Sequence, residues 1–303
     1  MKNLILITSI LFSFTSFAEG KFSNWGLDSI NMPKSVASKN EVTVAVLDTG
    51  IDGTHEFLSG NVVSSYDFSN TGSGDNHGHG THVSGIIKSV FPQVKLISLK
   101  YYNPKFSGKE SLDATLAGLR KAVELNVDII NYSGGGPEAS SEELAILKDA
   151  EKKGILIVVA AGNESSNIDN KSDAFYPAAY GLSNIIVVSN YNESLNLGDS
   201  SSYGKKSVDV AAPGTRIKSS LPLNRAGFLT GTSQATPFVT GVAALLKSRD
   251  KSLTPAKIKE IIKSSAKVEL TLKSYVSSGG RLDASAAIKM ADGRIFERKT
   301  AAN

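Results

Sequence analysis

The chain has 303 residues, of which 41% are hydrophobic and 20% charged, with no cysteine, 27 glycines and a net charge of +4 from 33 Lys+Arg against 29 Asp+Glu. This composition excludes a disordered chain, a collagen-like repeat and a disulfide-stapled scaffold. A mean hydropathy of −0.08 excludes a bundle of membrane spans, and the well-mixed charges give no basic block to dock nucleic acid or an anionic membrane surface.

Residues 1–18 stand apart. Lys2 gives a positive start, residues 4–14 are apolar but too few to span a bilayer, and Ser16-Phe17-Ala18 supplies the small residues of a cleavage site. The expectation is a signal peptide cut near Ala18, a bacterial protein exported to the periplasm or beyond, and no membrane attachment afterwards. The next segments alternate. Residues 42–47, 94–99, 127–130, 155–160, 185–188 and 208–211 are short apolar runs rich in β-branched residues, as buried parallel strands are. Leu112, Leu116, Leu119 and Val123 repeat at helical spacing, Ser140-Ser141-Glu142-Glu143 opens a helix that Gly154 can close, and Thr254-Pro255 starts a Lys-rich helix through Lys263. The pattern predicts one α/β domain over residues 19–290, a doubly wound, mainly parallel sheet between helices in three layers, with residues 291–303 as a frayed tail.

In such a sheet, ligands collect beyond the carboxyl ends of the strands. Asp48-Thr49-Gly50 and Asn163 stand just after apolar runs, and Gly231-Thr232-Ser233-Gln234-Ala235-Thr236-Pro237 opens a helix. A serine at a helix start is usually an N-cap. Here Gly231 allows close approach of another backbone, and the helix N-terminus carries partial positive charge suited to an oxyanion. Three of the four histidines lie within Asp75-Asn76-His77-Gly78-His79-Gly80-Thr81-His82. Spacing alone permits either a metal site of His77, His79 and His82, or a general base at His79 with His82 buried behind it. An aspartate at a strand end, a histidine at one helix start and a serine at another supply the orienting acid, the base and the nucleophile of a serine hydrolase.

Four segments, Asp48-Thr49-Gly50-Ile51-Asp52, His79-Gly80-Thr81-His82-Val83-Ser84-Gly85, Ala161-Gly162-Asn163-Glu164 and Gly231-Thr232-Ser233-Gln234-Ala235-Thr236-Pro237, resemble in order the signature segments of the subtilisin-like serine peptidases. The order Asp, His, Ser is that of the subtilisins. The resemblance implies that Ser233 attacks the scissile carbonyl after His79 takes its proton, with Asp48 fixing the imidazole. It implies that Asn163 donates to the oxyanion with the Ser233 N–H. Loss of such a donor, measured on a subtilisin, costs about 3–4 kcal/mol. Ser133, Gly134, Gly135 and Gly162 would line the substrate, an extended protein or peptide added as a strand.

Departures carry expectations of their own. Calcium-binding members commonly place an acid nine residues after the aspartate where this chain has Phe57, and the stretch 86–96 is too short for the usual calcium loop, so neither that metal nor any cofactor is expected. The two dozen residues between Ala18 and the first strand cannot hold the family's inhibitory prodomain. Gly134 stands where the family often has a leucine, Gln234 where it often has a methionine, and Asp169 and Asp173 read as solvated loop acids rather than specificity residues. A monomer is expected. Rival readings are an aspartic peptidase, which would need a second Asp-Thr-Gly, a zinc hydrolase on the three histidines, a scaffold that binds peptides without cutting them, and a transpeptidase on the same acyl-enzyme.

Overall fold

The structure is a computed structural model that describes residues 24–35 and 37–301, and the expected signal peptide lies outside them. In chain order the elements are α1 (Trp25–Ser29), β1 (Thr43–Asp48), β2 (Val62–Asp67), α2 (His79–Val90), β3 (Lys95–Lys100), α3 (Gly108–Glu124), β4 (Ile129–Tyr132), α4 (Ser141–Lys152) and β5 (Leu156–Ala160). They continue as β6 (Ile185–Tyr191), β7 (Val210–Pro213), β8 (Ile217–Leu221), β9 (Arg225–Leu229), α5 (Thr232–Arg249), α6 (Pro255–Ser264), β10 (Lys267–Val268), β11 (Gly280–Arg281) and α7 (Ala284–Ala301).

Nine strands form one sheet in the order β10-β11-β7-β6-β5-β4-β1-β3-β2, parallel throughout except for the β10–β11 pair. Successive strand residues feed opposite faces. Val44 and Val46 of β1 join Leu156, Val158, Phe238, Val242 and Ile258 in one core, while Ala45 and Leu47 join Leu116, Leu119, Leu147 and Ile157 in the other. The central strands are buried on both sides, so they read as continuous apolar runs rather than alternating ones. The result is the three-layer, doubly wound α/β architecture expected. Among the described residues no helix is long and apolar enough to cross a membrane.

The predicted caps are present: Ser140 accepts the Glu143 N–H, Thr254 accepts the Lys257 N–H with Pro255 next, and Gly154 (φ 73°) turns the chain out of α4. Residues 291–301 continue α7 as helical backbone where a frayed tail was expected. β2 is an edge strand with an alternating, half-exposed pattern, and β8–β9 is a separate antiparallel hairpin. Neither has the buried apolar run that marks the central strands.

The helices α2 and α5 cross closely on one face. A Cβ on Gly241 would lie 2.5 Å from the Cβ of Val90 and 3.2 Å from the Ile87 carbonyl. Gly241→Ala is therefore expected to cost about 1–3 kcal/mol of stability, read from the urea midpoint. Val90→Ala in the same chain should recover part of the loss, and a neutral Gly241→Ala would mean the two helices separate freely.

Candidate active site

The carboxyl edge of the sheet carries Asp48, His79, Ser133, Asn163 and Ser233. β1 ends on Asp48, which is 3% exposed, and its Oδ1 lies 2.7 Å from Nδ1 of His79, the first residue of α2. The His79 side chain is 22% exposed, which leaves part of the ring open to a ligand. Burial alone pulls the His79 pKa down, but the charge and hydrogen bond of Asp48, with the charge of Asp75 behind it, outweigh burial and raise it above its ordinary 6.5.

Ser233 is the second residue of α5, so its backbone N–H is among those that no helical carbonyl accepts. Its Oγ donates to the Ser133 carbonyl at 2.9 Å, and the Ser133 hydroxyl donates back to the Ser233 carbonyl at 3.1 Å. The second bond has a cause in the sequence. Pro237 has no N–H to return to the carbonyl four residues earlier, so the Ser233 carbonyl is free to accept the Ser133 hydroxyl. Asn131 donates to the Ser133 hydroxyl at 3.0 Å and accepts from Thr240 at 2.7 Å, tying the exit of β4 to α5. No hydrogen bond joins Ser233 to His79 among the described residues. The hydroxyl is turned to Ser133.

Asn163 follows β5 and is oriented by α5. Its Oδ1 accepts the N–H of Thr232 at 2.9 Å and the Thr232 hydroxyl at 3.1 Å, which leaves the Nδ2 end of the amide for a ligand. Gly231 (φ 152°) makes room, since a Cβ there would come within 3.2 Å of that Oδ1. The Gly162 carbonyl accepts the Thr232 hydroxyl and the Ser202 N–H. The backbones of Gly134 and Gly135 pair with nothing else among the described residues, so the strand edge beyond Ser133 is open for pairing. Gly134 does not leave an empty subsite, because a Cβ there would meet the Tyr101 hydroxyl at 2.6 Å.

The three histidines do not converge. His82 is fully buried, and its Nε2 points at the carbonyls of Ile217 (3.0 Å) and Gly227 (3.2 Å), while His77 stacks edge-on against Tyr102. A calcium ion does not fit at Phe57, whose ring packs against the core with the Lys88 ammonium 4.8 Å from its centroid. α2 runs to Val90 and β3 begins at Lys95, so only residues 91–94 connect them. Asp169 accepts the N–H groups of Lys206 and Ser207, and Asp173 accepts from Asn170. Both acids hold loop backbone or neighbouring side chains.

Two contributors had escaped the sequence reading. Asp75, quoted only as part of the histidine segment, accepts from Thr49, His77, Gly78 and Thr81 and seats the start of α2. An acid just ahead of a helix start was its signal. Tyr101 gave no signal, because only the fold sets it beside Gly134.

Residues 39–287 match the subtilase family. The major intracellular serine protease of Bacillus subtilis (strain 168) is 36% identical over 242 residues, covering 75% of this chain and 74% of that protein. Subtilisin E of the same organism is 36% identical over 237 residues, covering 75% of this chain and 61% of the relative. A crystal structure of a cold adapted subtilisin-like serine proteinase superposes with a TM-score of 0.72 at 28% identity, covering 86% of this chain and 98% of the other. The chain belongs to the subtilase family. It is accordingly a serine-type endopeptidase.

His82 generates a stability prediction. Burial, opposed by the hydrogen bonds of its Nε2 to Gly227 and Ile217, pushes its pKa down to about 4. The unfolded chain, near 6.5, takes the proton first, so this contribution is complete above pH 6.5 and is lost as pH falls toward 4. In His82→Gln, thermal unfolding between pH 7 and 5 should shift less with acid than in the parent. Equal acid sensitivity would contradict a neutral buried imidazole.

Proposed function

We propose that the chain is an exported serine endopeptidase that cuts protein or peptide substrates through an acyl-enzyme on Ser233. The observation that carries this reading is the 2.7 Å contact of Asp48 with His79 at the same sheet edge that holds Ser233 and the free amide of Asn163. A substrate strand lies along Ser133, Gly134 and Gly135, and its N–H takes the Ser133 carbonyl. That frees the Ser233 hydroxyl to turn to His79. His79 removes the proton as Oγ bonds to the scissile carbon, and Asp48 holds the tautomer and stabilises the imidazolium. The oxyanion is received by Asn163 Nδ2 and the Ser233 N–H. His79 then protonates the leaving amine, and water resolves the ester by the same path.

Export rests on the residue pattern of 1–18, and a monomer remains the proposal for the processed chain. A fluorophosphonate should label Ser233 in the processed protein and leave Ser233→Ala unlabelled. A folded parent that resists the label would instead favour a scaffold that binds peptides without cutting them.

The base must be neutral, and its pKa is raised, so kcat/KM should fall on the acid side with a midpoint above pH 6.5. Asp48→Asn removes the charge that raises it. That variant should lower kcat by about 10⁴ and move the remaining acid limb to lower pH. An unmoved limb would place the titrating group elsewhere.

A further inference from the structure

One side chain stands inside the candidate site with no part in the chemistry. Phe175 lies in the connection between β5 and β6, half-buried, backed by the apolar core on the α3 and α4 face. Two backbone hydrogen bonds between Gly136 and Tyr176, at 2.9 and 2.7 Å, bind its neighbour to the open strand edge. The Phe175 carbonyl also accepts the Ala179 N–H at 2.8 Å. The ring is therefore fixed at its root.

Its position is measured by the two glycines beside it. A Cβ on Gly135 would lie 2.6 Å from Cε1 and 2.9 Å from Cζ of Phe175, and a Cβ on Gly162 would lie 3.3 Å from Cγ. The ring thus touches both backbones and spans the slot between them. One wall of that slot is the strand edge that follows Ser133, and the other is the segment that leads into Asn163. A peptide paired with the first wall, its scissile carbonyl between Ser233 and Asn163, directs the side chain of that carbonyl's residue into the same slot.

We propose that Phe175 closes this slot as a steric floor, so that the enzyme selects a small side chain, Gly, Ala or Ser, at the residue that donates the acyl group. The inference rests on the Ser233 reading above and adds to it the substrate class. A methyl or a hydroxymethyl group needs little room beside the ring, whereas a benzyl or isobutyl group reaches ring carbon whose backbone is held by hydrogen bonds. The carboxylate of Glu164, which a Cβ on Gly162 would meet at 2.4 Å, lines the same wall and disfavours an acidic residue.

The test uses the processed full chain and a set of peptides that differ in one residue before the cut, Ala, Ser, Leu or Phe. The parent should cut after Ala with kcat/KM at least about tenfold above Leu and Phe, within the ~10–200-fold that a steric pocket commonly supplies per methylene. Phe175→Leu, Phe175→Ala and Phe175→Gly should raise the Phe-to-Ala ratio of kcat/KM stepwise, by tenfold or more at Gly. The graded series guards against a variant that fails to fold, and fluorophosphonate labelling of Ser233 is measured in each.

A labelled parent that cuts after Phe as readily as after Ala, or a ratio that stays flat across labelled variants, would overturn the inference and leave the peptidase reading standing. A folded parent that takes no label would overturn both.

Discussion

The site depends on one buried carboxylate that bolts a strand end to a helix start. Oδ1 of Asp75 accepts from the Thr49 hydroxyl at 2.9 Å and from the N–H groups of His77 and Gly78, and Oδ2 accepts the Thr81 N–H and hydroxyl. Thr49, one residue past Asp48, accepts the Gly80 N–H on the same hydroxyl at 2.9 Å. The strand end carrying Asp48 and the helix start carrying His79 thus share a single acceptor. A buried charge is tolerated when its lone pairs are filled, and five donors fill these. The geometry also requires bare backbone: a Cβ on Gly80 would come within 2.1 Å of the Gly50 carbonyl. Lys100 closes the loop before Asp75 by donating to the carbonyls of Gly72 and Gly74.

The same logic repeats on the Ser233 side. Gly231, Thr232 and Pro237 are each explained by a contact of α5 with another segment: room for Asn163, a donor pair for its Oδ1, and a carbonyl left free for Ser133. The segment around Ser233 is therefore a docking pattern in its own right. The sheet places the pieces together because the chain runs outward from β1 to the β2 edge, returns through β3, and crosses to β4 on the other side of β1. Helices and loops that leave β1, β4 and β5 at their carboxyl ends meet over that reversal.

What could be read in advance follows from the range of the physics involved. Buried parallel strands and capped helices announce themselves locally, and so Val44 to Leu47, Ser140 and Thr254 were legible. That Asp48, His79, Asn163 and Ser233 stand at element ends was legible because each lies inside a distinctive segment. The roles of Asp75, Tyr101 and Phe175 were not, because each is defined by partners far along the chain. Phe175 is an ordinary aromatic until Gly135 and Gly162 are folded against it. β2 was missed because an edge strand needs no continuous apolar run, and β8–β9 because Leu223 and Asn224, both at positive φ, make an unusual turn.

The residues of the proposed reaction and the proposed specificity residue sit on different parts of the fold. Asp48, His79 and Ser233 are carried by β1, α2 and α5, elements that supply much of one core, so their spacing cannot change without repacking it. Phe175 is carried by a long connection whose own anchors are the Gly136–Tyr176 bridge and a few polar clamps such as Asp169 on residues 206 and 207. A substitution at 175 disturbs packing at the rim, and one at 48 or 79 disturbs the centre. On the proposed reading, the reaction is thereby tied to the core and the choice of substrate to a connection at its rim.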